Sequence, residues 1–290
     1  MTEKNKRITP YQILCIVILV ALAIFFLFPL YWIVTGSVKE KSDIIIKAGE
    51  SVKWIPTSVS WDNYARLFKS QTELFGMKFP MALRWLFNSV FISVVAMLLT
   101  CITASLAGYV LAKKRFWGRG VIFSLFVCAM ALPKQVILIP LLKEMSALRL
   151  YDSLWAVIFP TVGWPFGVFL MKQFSESIPG EILEAARIDG SSEWNTFSTV
   201  VMPMIKPGIG ALAIFTFINC WNDYFMQLVM LASGSNFTIP LGIATLQAET
   251  SVDNGLLMAG ATLAAAPIII VFLIFQKYFT QGITMGAVKG

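Results

Sequence analysis

The chain contains no histidine. That absence excludes Ser-His-Asp and Cys-His catalysis and every histidine metal site. Cysteine is scarce. Cys15, Cys101, Cys128 and Cys220 fall singly inside apolar stretches, without disulfide or metal-ligand spacing, and read as small apolar side chains. Charge is low as well: 13% of the 290 residues are Asp, Glu, Lys or Arg, against about 25% in a soluble domain. No GxxxxGK[ST] run occurs, so the chain has no recognisable phosphate-cradling loop of its own. No nucleophile–base pair or metal cluster stands out, and no repeat of solenoid length is present. What is abundant is apolar: 57% of residues are hydrophobic and mean hydropathy is positive. These proportions define an integral membrane protein.

A spanning helix needs about 20 apolar residues. Six segments qualify: Ile13–Val34, Leu86–Ala112, Val121–Leu142, Leu154–Leu170, Gly208–Leu231 and Leu256–Phe279. The first is too long for a signal peptide and lacks a small-residue cleavage site. The predicted fold class is therefore all-α: a polytopic membrane protein of six transmembrane helices. Its parts are an N-terminus (1–12), a membrane domain (13–281) and a tail (282–290). Lys4, Lys6 and Arg7 precede the first span, and Lys113, Lys114, Arg115 and Arg119 follow the second. Both clusters suit a cytoplasmic N-terminus, and an even span count puts both termini on that side. The net charge of +7 need not mean nucleic acid, and no such partner is expected: its densest cluster, Lys113-Lys114-Arg115 with Arg119, sits just after an apolar span and suits a membrane surface. Lys39–Arg84 carries eight basic and five acidic residues and would lie outside; its length weakens the charge rule without cancelling it. Ala232–Gly255, without Lys or Arg, fits the outside. Gly163 and Gly167, and the small residues Ala259–Ala266, suit close helix packing.

The longest polar interruption in the second half is Glu184–Pro203. Ser177 is an N-cap candidate for a short helix with Pro179 and Glu181 in its first turn. Ile182, Leu183, Ala185, Ala186 and Ile188 give that helix a broad apolar side. Gly190 suits a turn that a Cβ opposes. Ser191 or Ser192 suits the cap of a second helix, with Trp194, Phe197, Val200 and Val201 at helical spacing. Pro203 and Pro207 punctuate the return to the membrane.

Glu184-Ala185-Ala186, three residues, Gly190, nine residues, Val200, Met202 and Pro203 follow the order of the EAA loop of ABC importer permeases, with Met where Leu is usual. Ala107-Gly108-Tyr109 through Lys114-Arg115-Phe116, Trp221-Asn222-Asp223-Tyr224 and the Gly282–Gly290 tail add to the likeness. From about Phe28 onward the chain resembles the carbohydrate-uptake branch, close to the second, six-span permease of the maltose importer family. The resemblance implies a type I importer fold in a bacterial cell membrane. It implies a second homologous permease, two cytoplasmic ATPase subunits and an extracytoplasmic solute-binding protein delivering a sugar or oligosaccharide. The chain itself would bind no cofactor; ATP and Mg would sit on the partner ATPase. The loop at 172–207 would dock there through Glu184, Ala185, Ala186, Arg187, Asp189, Gly190 and Pro203. The tail, through Thr284, Gly286 and Lys289, would enter the seam between the ATPases, as a non-helical strand.

The fifth span carries Asn219, Trp221, Asn222, Asp223 and Tyr224. At about 1.5 Å per helical residue, Asp223 lies past the membrane centre, toward the outside. Ionisable groups at such depth face a protein interior or a wet cavity. These residues therefore either line a substrate pathway, with Trp221 and Tyr224 stacking on a sugar ring, or fix the bundle. Lys134 is a second charge within a span, placed to snorkel or to pair across helices. An external loop at Phe237–Gly255 would face the binding protein. Two other readings compete: an ABC permease for glycerol phosphates or another polar solute, and a stand-alone ion-coupled secondary transporter. The latter calls for paired intramembrane acids and inverted repeats; one clear intramembrane acid is present.

Overall fold

The computed structural model describes residues 9–44, 51–74, 76–249 and 253–287. They divide into two compact units: Met1–Ser70 with Leu246–Leu263, and Gln71–Thr245 with Ala264–Gly290.

The first unit opens with α1 (Pro10–Ser37). Thr9 accepts from the Gln12 backbone N–H at 3.3 Å while the Gln12 side chain accepts from Thr9 N at 2.9 Å, a reciprocal capping box. Pro10 takes the first helical position, where a missing N–H costs nothing. The helix is apolar all round and almost wholly exposed, as suits a lipid-facing span. The segment beyond it is held by polar contacts. Asp43, buried, accepts from Lys53 Nζ at 2.6 Å, Thr57 Oγ1 at 2.5 Å and Thr57 N at 3.1 Å. The Lys53 and Thr57 hydrogen bonds hold its carboxyl at about 2, below the usual 3.8. Asn63 donates to the Ser37 and Lys39 carbonyls, and Arg66 and Lys41 both reach Asp253.

The second unit starts with an antiparallel hairpin, β1 (Gln71–Leu74) and β2 (Met77–Pro80), a small addition to the expected all-α class. Then come α2 (Met81–Lys113), α3 (Arg119–Met130), α4 (Lys134–Ala147), α5 (Leu154–Val162) and α6 (Pro165–Glu176). After a two-helix loop, α7 (Gly180–Ile188) and α8 (Glu193–Met204), follow α9 (Lys206–Trp221), α10 (Tyr224–Met230) and α11 (Ile239–Glu249). α11 lies where the sequence suggested an external loop. α12 (Asn254–Ala287) completes the chain.

Two apolar clusters lie along α2, one built with α6 and the loop, the other with α5 and α10. α2 and α6 meet backbone to backbone at Gly108, where a Cβ would lie 2.6 Å from both the Lys172 nitrogen and the Met171 carbonyl carbon. Gly208 presses on the Phe174 ring in the same way. Of the expected GxxxG pair, Gly167 packs against Ala104 and Leu212, whereas Gly163 faces open space.

Among the described residues, four helices are long and apolar enough to cross a membrane: Pro10–Ser37, Met81–Lys113, Leu154–Glu176 and Asn254–Gln276. Arg119–Met130 with Lys134–Ala147, bent by 108°, and Glu193–Met204 with Lys206–Trp221, bent by 77°, bring the number to six if each pair counts as one span. The third expected span is thus not straight. Pro133 lacks a donor and its residue Ala131–Leu132 lead-in leaves the helix. α9 and α10 together cover the expected fifth span, interrupted at Asn222–Asp223. α12 runs on past Phe279 to Ala287, so the backbone of Thr284 and Gly286 is helical and not the strand expected of the tail. Glycine weakens a helix by only about 1 kcal/mol, and no proline follows Pro267 to end it. Lys289 lies outside the described residues.

Candidate functional site

Two groups of residues bear on function. The first is the loop between α6 and α9. Its opening differs from expectation: Ser177 Oγ donates to the Phe174 carbonyl at 2.8 Å and closes α6, while Pro179 takes the N-cap position of α7. Leu183 and Ala186, three residues apart, turn inward and are buried. Glu184, Ala185, Arg187 and Asp189 stay exposed on the outer face. The helix ends in a Schellman motif: Gly190 N donates to the Arg187 carbonyl at 3.0 Å and Ser191 N to the Ala186 carbonyl at 2.9 Å. Gly190 has φ +74°, the left-handed region that the motif requires. Ser192 then caps α8, accepting from Asn195 N at 3.2 Å. Thr196–Val201 is a π-helical turn, and Phe197 and Val201 within it are both buried. Pro203 is exposed near the end of α8.

Arg187 approaches Glu193 at 3.8 Å, within the loop itself. Lys114 also reaches Glu193, and that hydrogen bond chiefly holds the Glu193 carboxyl below its usual range. The apolar side expected on α7 is split: Leu183 and Ala186 are buried while Ile188 is 87% exposed, and on α8 Trp194 is 67% exposed. The sequence puts Ile188 on the broad apolar side of α7 and Trp194 at helical spacing with Phe197; in the fold both stand exposed.

The second group lies where two helix breaks meet. Lys134 is the first residue of α4, after the break at 131–133. Asp223 is the N-cap of α10, accepting from Met226 N at 3.3 Å. Lys134 Nζ lies 2.6 Å from Asn219 Oδ1 and 3.2 Å from Asp223 Oδ2. Asn222 is exposed on the same stretch and donates to the Ile218 carbonyl at 3.0 Å. Behind the break, Gln227 Nε2 satisfies the Cys220 carbonyl at 2.9 Å. Lys134 pairs across helices and does not snorkel. Its side chain is 48% exposed and that of Asp223 17% exposed. Non-helical backbone at membrane depth persists only when buried in protein or lining water, and this pair is open on one side. Trp221 is not part of that open face: it is 1% exposed and stacks on Phe217, ring centroids 5.5 Å apart. Tyr224 is half-buried against Phe225.

On the far side, Asp152 pins the turn after α10. Its carboxylate accepts from Ala232 N and Ser233 N, each at 2.9 Å, and from the Ser233 hydroxyl. Arg84 and Asn88 donate to the Ser235 carbonyl and Trp85 to that of Gly234.

Apolar helices long enough to cross a membrane, polar groups at two facing helix breaks and a capped two-helix loop define a multi-pass helical membrane protein. Residues 104–285 match the family of binding-protein-dependent transport system inner membrane components, and the chain belongs to that family. It is similar to the arabinooligosaccharides transport system permease protein AraQ of Bacillus subtilis, 34% identical over 290 residues that cover 100% of both chains. It is also similar to the trehalose/maltose transport system permease protein MalG of Thermococcus litoralis, 30% identical over 283 residues, 96% of this chain and 97% of that one. A crystal structure of a bacterial ABC transporter involved in import of the acidic polysaccharide alginate shares the fold, with TM-score 0.79 at 21% identity, covering 96% of this chain and 100% of that one. The protein is therefore a multi-pass permease subunit of an ABC importer, and not its ATPase.

Proposed function

We propose that this permease carries a sugar or oligosaccharide across a bacterial cell membrane, with both termini cytoplasmic. It pairs with a second homologous permease, receives cargo from an extracytoplasmic binding protein and is driven by two ATPase subunits that hold the ATP and Mg. The observation that carries the coupling part is the loop at 180–204. A Schellman turn at Gly190 and a capped second helix make it stiff, and Ile188 and Trp194 stand out from it. Such a knob seats in a cleft of a partner and transmits a push. Glu184, Ala185, Arg187 and Asp189 rim it, Ala186 packs it, and Pro203 ends it. The relatives' names support the carbohydrate cargo.

The open polar group Lys134, Asn219, Asn222 and Asp223 supports a place on the solute pathway. Ammonium donors and carboxylate acceptors within 3.2 Å of each other suit sugar hydroxyls, which both donate and accept. Purification with the products of neighbouring genes, followed by ATPase assays against candidate sugars and their binding protein, tests the proposal. Sugar-stimulated hydrolysis is expected. A purified chain that holds no ATPase and moves solute on an ion gradient overturns it.

A further inference from the structure

The basic residues that close α2 suggest, from sequence alone, a contact with lipid headgroups. The structure spends two of them differently. Lys113 Nζ donates to the Ile178 carbonyl at 2.6 Å and the Glu176 carbonyl at 3.2 Å. These groups lie at the end of α6, where helix carbonyls lack intrahelical partners and favour a cation. Lys114 reaches the carboxylate of Glu193, on α8, and lies 5.3 Å from the centre of the Tyr109 ring. That ring sits 5.5 Å from Phe197, which in turn lies 5.9 Å from Trp194. Tyr109 and Phe197 are 4% and 6% exposed.

The loop therefore has a third attachment besides its covalent links to α6 and α9. We propose that Tyr109, Lys113 and Lys114 are positioning residues forming the joint through which movement of the loop reaches α2. This rests on the reading of the loop as the ATPase dock. An exposed ion pair such as Lys114–Glu193 adds little stability; its role here is direction. It fixes where α8 meets α2, and the buried aromatic pair resists sliding. Lys113 holds the loop's entrance and Lys114 its second helix, so α7 and α8 move as one piece against α2. Because α2 lines both apolar clusters, displacement at Tyr109 is delivered along the whole packed unit.

The test uses the complete transporter in proteoliposomes with its binding protein. Lys114→Glu and Glu193→Lys each set like charges together; Lys114→Glu with Glu193→Lys restores opposite charges. Bound ATPase per permease, and solute transported per ATP hydrolysed, are measured at equal amounts of assembled complex. The single variants are expected to keep the ATPase bound while transport per ATP falls several-fold, and the swap is expected to recover most of it. Tyr109→Phe, which keeps the ring and loses the hydroxyl, is expected to fall less. Unchanged transport per ATP in both single variants, or a swap as poor as either, overturns the joint. Single variants that lose the ATPase and regain it in the swap overturn it too, by showing that the contact serves docking alone. If the unaltered chain binds no ATPase, the dock reading itself fails, which is a separate result.

Discussion

Three glycines give a graded test of how α2 and α6 are held together. In Gly108→Ala the new Cβ lies 2.6 Å from two backbone atoms of Lys172 and Met171. Ordinary contact begins near 3.4 Å, and backbone, unlike a side chain, has no rotamer to escape into, so the helices must part. Overpacking of this kind costs about 1–3 kcal/mol, and the upper half of that range applies. The gain in helix propensity, about 0.5–1 kcal/mol, does not offset it. In Gly167→Ala the nearest atoms are the Ala104 methyl and a Leu212 methyl at 3.3 Å, both in side chains; a shift of a few tenths of an ångström suffices and the net effect is near zero. In Gly163→Ala nothing lies within 4 Å. Thermal unfolding of the purified complex in detergent should rank Gly108→Ala well below the other two, with Gly163→Ala indistinguishable from the unaltered chain. A Gly108→Ala variant as stable as Gly163→Ala would refute the backbone contact, and with it the placement of α2 against α6.

Gly190→Val should weaken retention of the ATPase and lower coupled transport, because a left-handed conformation costs an L-residue about 1–2 kcal/mol. Gly190→Asn, which tolerates φ +74° better, should lose less in a pull-down of the ATPase. Asp43 has its carboxyl held at about 2. A depressed folded value means its contribution is present above the unfolded value of 3.8 and is lost as pH falls from there toward 2. A pH series of melting temperatures should show a drop in that window, flattened in Asp43→Asn. Asp223→Asn leaves Lys134 without its counter-charge and should reduce transport or shift cargo preference with assembly intact. Lys134→Met with Asp223→Leu removes both charges and should restore assembly if the single change impairs it, without restoring transport.

The span pattern was legible because long apolar runs have few other uses. The loop was legible because Gly190 and Ser192 act through local backbone rules. The same rules misplace the cap at Ser177, whose hydroxyl is taken by the carbonyl three residues back. Contacts between distant segments were not readable. Lys134 and Asp223 are 89 residues apart and Lys114 and Glu193 are 79 apart. Nothing in the neighbourhood of Lys113 and Lys114 distinguishes a headgroup contact from a protein one. Trp221 sits beside exposed Asn222, yet one step along a helix turns it into the core against Phe217. The exposed pair Ile188 and Trp194 is the plainest case: apolar periodicity reports which side chains share a face, and only the assembled turn decides whether that face is covered.

The most direct test of the account is solute uptake into proteoliposomes holding this chain with its partner permease and ATPase, measured with and without ATP and binding protein. The account predicts uptake of a sugar that needs both, and that Gly190→Val depresses uptake without removing the permease from the membrane. Uptake at the full rate without ATP, driven by a proton or sodium gradient, contradicts it.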